Sequence, residues 1–189
     1  MAAAMGAFAR LGYEGSSLRA LGAAAGVDMA LVGRLFGSKA ALWDAVVDRL
    51  AERQAEQAGT LAIMASVSLD DPAEGFRRFV RFFAELSLEM PAFPAFLLQE
   101  AANPGDRLDT LVTRLVQPFR DRCRPIIAAA IDARVVRGSD PDIVLGMLVG
   151  AISLPLVSPV LFTGGGAVTD ALGDKLADQA IAMFLSEPF

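Results

Sequence analysis

Apolar residues recur at spacings of three and four along most of this chain, and sustained alternation is nearly absent, so the pattern predicts an all-α fold. The clearest stretch places Phe76, Phe79, Val80, Phe83 and Leu86 on one helical face and Arg77, Arg78, Arg81 and Glu85 on the other. Asp71 and Pro72 supply its start signal. Pro91 and Pro94 end that helix and seed a short apolar one reaching Ala102, and Asn103, Pro104 and Gly105 make a turn. Leu108, Leu111, Val112, Leu115, Val116 and Phe119 repeat the amphipathic spacing, with Pro118 either kinking this helix or beginning its successor. A further helix carries Cys123, Ile126, Ile127, Ala130 and Ile131 and stops near Gly138, before a cap at Ser139 and Asp140 and a first-turn Pro141. From Ile143 to Thr169 there is no charged residue, and Gly146 and Gly150 form a GxxxG spacing that lets helices approach closely. Gly164 to Gly166 form a loop, and a last helix turns Leu172, Leu176, Ala180, Ile181 and Phe184 inward.

Near the N-terminus the pattern is tighter. Ser16 or Ser17 caps a short helix through Leu18, Leu21 and Ala25, and Gly26 supplies the sharp turn that follows. Val27 is expected to plug the angle between two helices, and Asp28 to cap a second helix from Met29 to Phe36. Leu31, Leu35 and Phe36 are expected to pack back, leaving Met29, Ala30, Gly33 and Arg34 outward. Two short helices joined by a glycine-containing turn have the helix-turn-helix layout, whose second helix enters the major groove. Spacing alone fits any small helical hairpin equally well.

Composition narrows the choices. Hydrophobic residues make up 54% of the 189 positions and charged residues 21%, an excess that needs a core, a subunit interface, an apolar cavity or a membrane. Net charge is −5, which argues against a generally basic surface. The first forty residues nevertheless carry Arg10, Arg19, Arg34 and Lys39 against Glu14 and Asp28, a local positive balance. Histidine is absent and Cys123 is the one cysteine, so His-based metal sites, a His-dependent triad and an intrachain disulfide are excluded. Neither a GxSxG nor a glycine-rich phosphate loop is present, and no catalytic role and no cofactor are expected. Met1 to Ala9 do not read as a signal peptide, which makes a cytoplasmic protein the default. A transmembrane reading of the charge-free segment is opposed by Ser153, Pro155, Ser158 and Pro159 and by the lack of a basic flank.

The residues from Phe8 to Leu42 resemble the TetR family of transcriptional regulators. The shared elements are Phe8, Gly12 and Tyr13; Ser16 and Ser17; Ala23 to Ala25; Gly26 and Val27; Phe36; Ser38 and Lys39; and Leu42. The resemblance implies a helix-turn-helix DNA-binding domain over residues 1–45 and a helical effector-binding and dimerisation domain over 46–189. It implies phosphate contacts for Ser17, Arg19 and Lys39, and a groove-facing set of Asp28, Met29, Ala30, Gly33 and Arg34. Arg34 has the fork geometry to read a guanine, or to hold a phosphate. The chain departs from the family at Gly33, where a large polar residue is usual, and at Leu35, where an aromatic or histidine is usual. It also opens at Met1 almost inside the first helix, where the family has a preceding basic arm.

Phe76, Phe79, Phe83, Met90, Phe93, Phe96 and Phe119 are the candidate lining of a pocket for a small, mostly apolar effector, although each taken singly reads as plain core and only the cluster points to a pocket. The segments at about 141–162 and 169–185 are the candidate homodimer surface. The expected function is a DNA-binding transcriptional regulator, a repressor released by its ligand, with double-stranded operator DNA as partner and no membrane. The alternative is a helical ligand-binding or interaction protein whose DNA binding has decayed.

Overall fold

Helix boundaries fall where local chemistry sets them. A computed structural model describes residues 1–185, so the final four positions of the expected 46–189 domain lie outside the described residues. In chain order the helices are α1 (Ala2–Gly15), α2 (Leu18–Ala25), α3 (Met29–Phe36), α4 (Lys39–Glu56), α5 (Ala58–Asp70), α6 (Pro72–Glu89) and α7 (Ala92–Ala101). They continue with α8 (Asp106–Leu111), α9 (Gln117–Asp132), α10 (Pro141–Leu148), α11 (Leu154–Val157), α12 (Pro159–Phe162) and α13 (Asp170–Phe184). The described residues form no strand beyond an isolated bridge between Val136 and Leu185. The caps match the sequence signals: Asp71 Oδ1 accepts from the Glu74 amide at 2.9 Å, and Asp140 Oδ1 from the Asp142 amide at 2.8 Å.

Two prolines that threatened to break helices are absorbed in the same way. A π-helical turn at Val112–Val116 ends two residues before Pro118, and another at Val149–Ser153 ends two residues before Pro155. A proline has no N–H and its ring crowds the carbonyl four residues back. For Pro118 and Pro155 those carbonyls belong to Arg114 and Ala151, both inside the widened turns, where the backbone bonds to the fifth residue onward instead. Of the two expectations for Pro118, a kink or the start of a new helix, the second is met: α9 begins at Gln117 directly after the π turn. The charge-free segment is likewise no single long helix but α10, a π turn, α11 and α12. No helix among the described residues is long and apolar enough to cross a membrane.

The chain packs as two compact units. One comprises Met1–Glu56 and Ala92–Gln117, the other Gln57–Pro91 and the chain from Pro118 onward. In the first, α1 packs against α7, α2 and α4. Gly12 has a left-handed φ of 69° inside α1, and a side chain there would meet the Gln99 amide of α7. In the second, α6 packs against α5 and α13. Its buried face of Phe76, Phe79, Val80 and Phe83 joins Ile126 and Ile127 of α9, Leu148 of α10, and Ala180 and Phe184 of α13 in one apolar core.

Candidate nucleic-acid interface

The α2–α3 hairpin is built by caps and one glycine. Ser17, not Ser16, caps α2, its hydroxyl accepting from the Ala20 amide at 3.2 Å, while Ser16 Oγ donates to the Tyr13 carbonyl at 2.8 Å. Gly26 ends α2 at φ 65°, and the Val27 amide closes back on the Gly22 carbonyl at 3.0 Å. The helices cross at Gly22, where a Cβ would stand 3.0 Å from the Val27 carbonyl oxygen and 3.5 Å from the Val32 side chain. Two sequence expectations change here. Val32, with 5% exposure, is the residue of α3 that packs inward, whereas Val27 is exposed and Leu35 is 65% exposed. Leu35 stands one turn after Val32, in the last turn of the two-turn α3, and is not covered there.

Asp28 caps α3, one carboxylate oxygen accepting from the Ala30 amide at 2.6 Å. Met29, Ala30 and Arg34 are exposed, and Gly33 has no heavy atom within 4 Å of where a Cβ would sit. Arg19, in the first turn of α2, is exposed, and neither Arg19 nor Arg34 has an ion-pair partner among the described residues. Ser17, Arg19, Arg34 and the exposed face of α3 therefore belong to one hairpin.

Lys39 has a further role that sequence reasoning missed. Its ammonium donates to the carbonyl oxygens of Tyr13 at 2.7 Å and Ser16 at 3.1 Å, and lies 4.2 Å from the centre of the Tyr13 ring. It thus ties α4 to the C-terminal end of α1, where orphan carbonyls and the helix dipole favour a cation. Arg107 of α8 stacks on the same ring at 4.0 Å. Behind it Glu100 of α7, only 2% exposed, accepts from Arg107 Nε at 3.0 Å and from Trp43 Nε1 at 3.2 Å. A single acid in an otherwise uncharged helix and the chain's one tryptophan were the available signals, but nothing local pairs them.

The seven aromatic and methionine candidates do not form one cluster. Phe76, Phe79 and Phe83 are buried in the core of the second unit, with the Phe79–Phe83 and Phe83–Phe119 ring centres 6.1 Å apart. Met90 is buried and Phe119 half-buried in that unit. Phe96 instead packs in the first unit against Phe8 and Trp43, at 6.4 and 6.2 Å, and the half-buried Phe93 lies on the same helix. The first unit also has a cleft of about 300 Å³ lined by Tyr13, Trp43, Asp44, Asp106, Arg107 and Thr110.

The comparisons agree with this geometry. Residues 1–46 match the family described as bacterial regulatory proteins, tetR family. No curated protein matches the chain. Among solved structures, a Clostridium perfringens protein described as a fatty acid metabolism regulator is similar with a TM-score of 0.72 at 19% identity, over 98% of this chain and 97% of that one. HlyIIR, a hemolysin II transcriptional regulator, gives 0.69 at 16% identity over 98% and 94%. AibR, in a complex with isovaleryl coenzyme A and operator DNA, gives 0.67 at 22% identity over 99% and 98%. At these identities the structural likenesses show the fold alone, while the helix-turn-helix segment, residues 1–46, is what matches the family model of bacterial regulatory proteins, tetR family.

Proposed function

We propose that the protein is a homodimeric transcriptional repressor that a small, mostly apolar ligand releases from operator DNA. Residues 1–45 are the DNA-binding domain and residues 46–189 the effector-binding and dimerisation domain. The observation that carries the reading is the α2–α3 hairpin, with Arg19 and Arg34 exposed beside an open recognition-helix face. Ser17 and Arg19 hold phosphates, and Lys39 adds a third contact with the ammonium proton not engaged by Tyr13 and Ser16. Dimerisation uses the segments at about 141–162 and 169–185, where Ile143, Met147 and Met183 are more than half exposed and both Gly146 and Gly150 face open space.

The effector site is the apolar core of the second unit around Phe76, Phe79, Phe83, Met90 and Phe119; Phe93 and Phe96 belong to the first unit and are left out of it. The core cluster contains no charged side chain, so a ligand there is held mainly by buried area. An acyl group fits that chemistry, and AibR was crystallised with an acyl coenzyme A. A ligand shifts the DNA equilibrium only by its differential affinity for the two arrangements.

The test is to select fragments of the source genome with the purified protein, measure binding against salt, and screen acyl thioesters and neutral apolar molecules for release. A steep fall in affinity with salt and a five-fold to hundred-fold release by an apolar molecule are expected. Arg34→Ala should also relax preference at one base. Release only by highly charged metabolites that carry no apolar group would overturn the apolar-effector reading, and absence of salt-dependent binding would favour the decayed-binding alternative.

A further inference from the structure

We infer that the recognition helix reads thymine methyl groups, with Arg34 as its one hydrogen-bonding reader; the inference rests on the DNA-binding role proposed above. On the major-groove floor the thymine C5-methyl is the apolar feature among hydrogen-bonding edges, and apolar side chains recognise it. The face that α3 offers is built accordingly. Met29 is 53% exposed, Ala30 is exposed, and Gly33 presents bare backbone with nothing within 4 Å of its Cβ position. The polar candidates are largely removed from the contest by their own contacts. Asp28, the residue suited to accept from a cytosine amino group, has a carboxylate oxygen on the Ala30 amide. Ser17 caps α2, and Lys39 is held on α1.

Charge supports DNA as the occupant of this apolar face. Arg19 and Arg34 flank it, exposed and without ion-pair partners among the described residues, inside a chain whose net charge is −5. Two cations beside a small, smooth surface suit a groove lined by phosphates and floored by methyl groups. Gly33 also sets depth: with no side chain between backbone and floor, α3 sits closer to the base edges than a large polar residue would permit. An operator half-site with adjacent thymines opposite Met29, Ala30 and Gly33, and a guanine within reach of Arg34, is the sequence class this surface takes.

The experiment selects bound duplexes from a random library with the full-length protein, then replaces each thymine of the best half-site with deoxyuridine. That change removes the methyl and leaves every hydrogen-bonding group in place. Binding is read by fluorescence anisotropy at fixed salt. At two or more positions affinity should fall about four-fold per methyl, the ratio that corresponds to roughly 0.8 kcal/mol. Gly33→Asn, which has room for its side chain, should fold normally and lose that discrimination against deoxyuridine. A selected duplex that binds equally well with every thymine replaced, or half-sites without thymine, would overturn the methyl-reading inference and leave the DNA-binding role standing. Failure to bind any duplex at low salt would overturn both.

Discussion

Lys39 donates to two carbonyl oxygens at the end of α1 and lies over the Tyr13 ring, so its removal acts on two levels. Lys39→Ala should lower stability by about 1–3 kcal/mol, as for other hydrogen bonds from a charged donor, and should weaken binding to all DNA sequences alike with a flatter salt dependence. Thermal unfolding beside salt-titrated binding checks it, and an unchanged Tm would remove the capping role. Cys123 gives a second prediction at this scale. Burial pushes its thiol pKa far above the usual range, outweighing the nearby Arg122 charge that lowers it. The thiolate is therefore scarce at every ordinary pH, and a thiol reagent should label the folded protein very slowly and the unfolded one at once. The sequence shows why some residues were legible and others not. Ser17, Gly26, Asp28 and Asp71 act on partners within five positions, so their roles are written locally. Lys39 and Phe96 take their roles from helices far along the chain, and spacing carries no record of that.

At the scale of elements, α7 and α8 join the N-terminal helices through a buried acid. Glu100 depends on Arg107 and Trp43 for its hydrogen bonds, so Arg107→Ala leaves a carboxylate at 2% exposure short of its countercharge. A loss of about 3–5 kcal/mol is expected by denaturant titration, and Arg107→Ala with Glu100→Gln together should recover part of it. Recovery would identify the lost charge balance, rather than the lost Tyr13 stacking, as the cause. Periodicity revealed α6 and its start at Pro72 because an amphipathic face repeats over many residues. It could not reveal the π turns before Pro118 and Pro155, since one extra residue per turn changes hydrogen bonding while leaving the apolar spacing nearly intact.

For the whole molecule, Gly146 and Gly150 separate folding from assembly. Among the described residues nothing beyond the local helix backbone lies within 4 Å of either Cβ position, so leucine at Gly150 should leave helicity and the unfolding midpoint of the monomeric form little changed. The same substitution should move light scattering from a dimer toward a monomer, because that face is proposed to meet its copy. A dimer that persists unchanged would place the interface elsewhere. The aromatic core gives a contrasting case, where Phe79 is fully buried and a charge in its place unfolds the unit before any ligand is tested.

The loop at Gly164–Gly166, with all three residues at positive φ, joins two parts that are already held together. Beyond it α13 is fastened to α6 by Phe76 against Phe184 and by Arg81 bonded to Asp178 at 2.9 Å. A protease that cuts this glycine run should therefore yield two fragments that co-elute and unfold together, and the two pieces expressed separately should find each other. Covalent continuity at that point is dispensable, which makes the loop the natural place to insert a foreign domain or to open the chain into new termini.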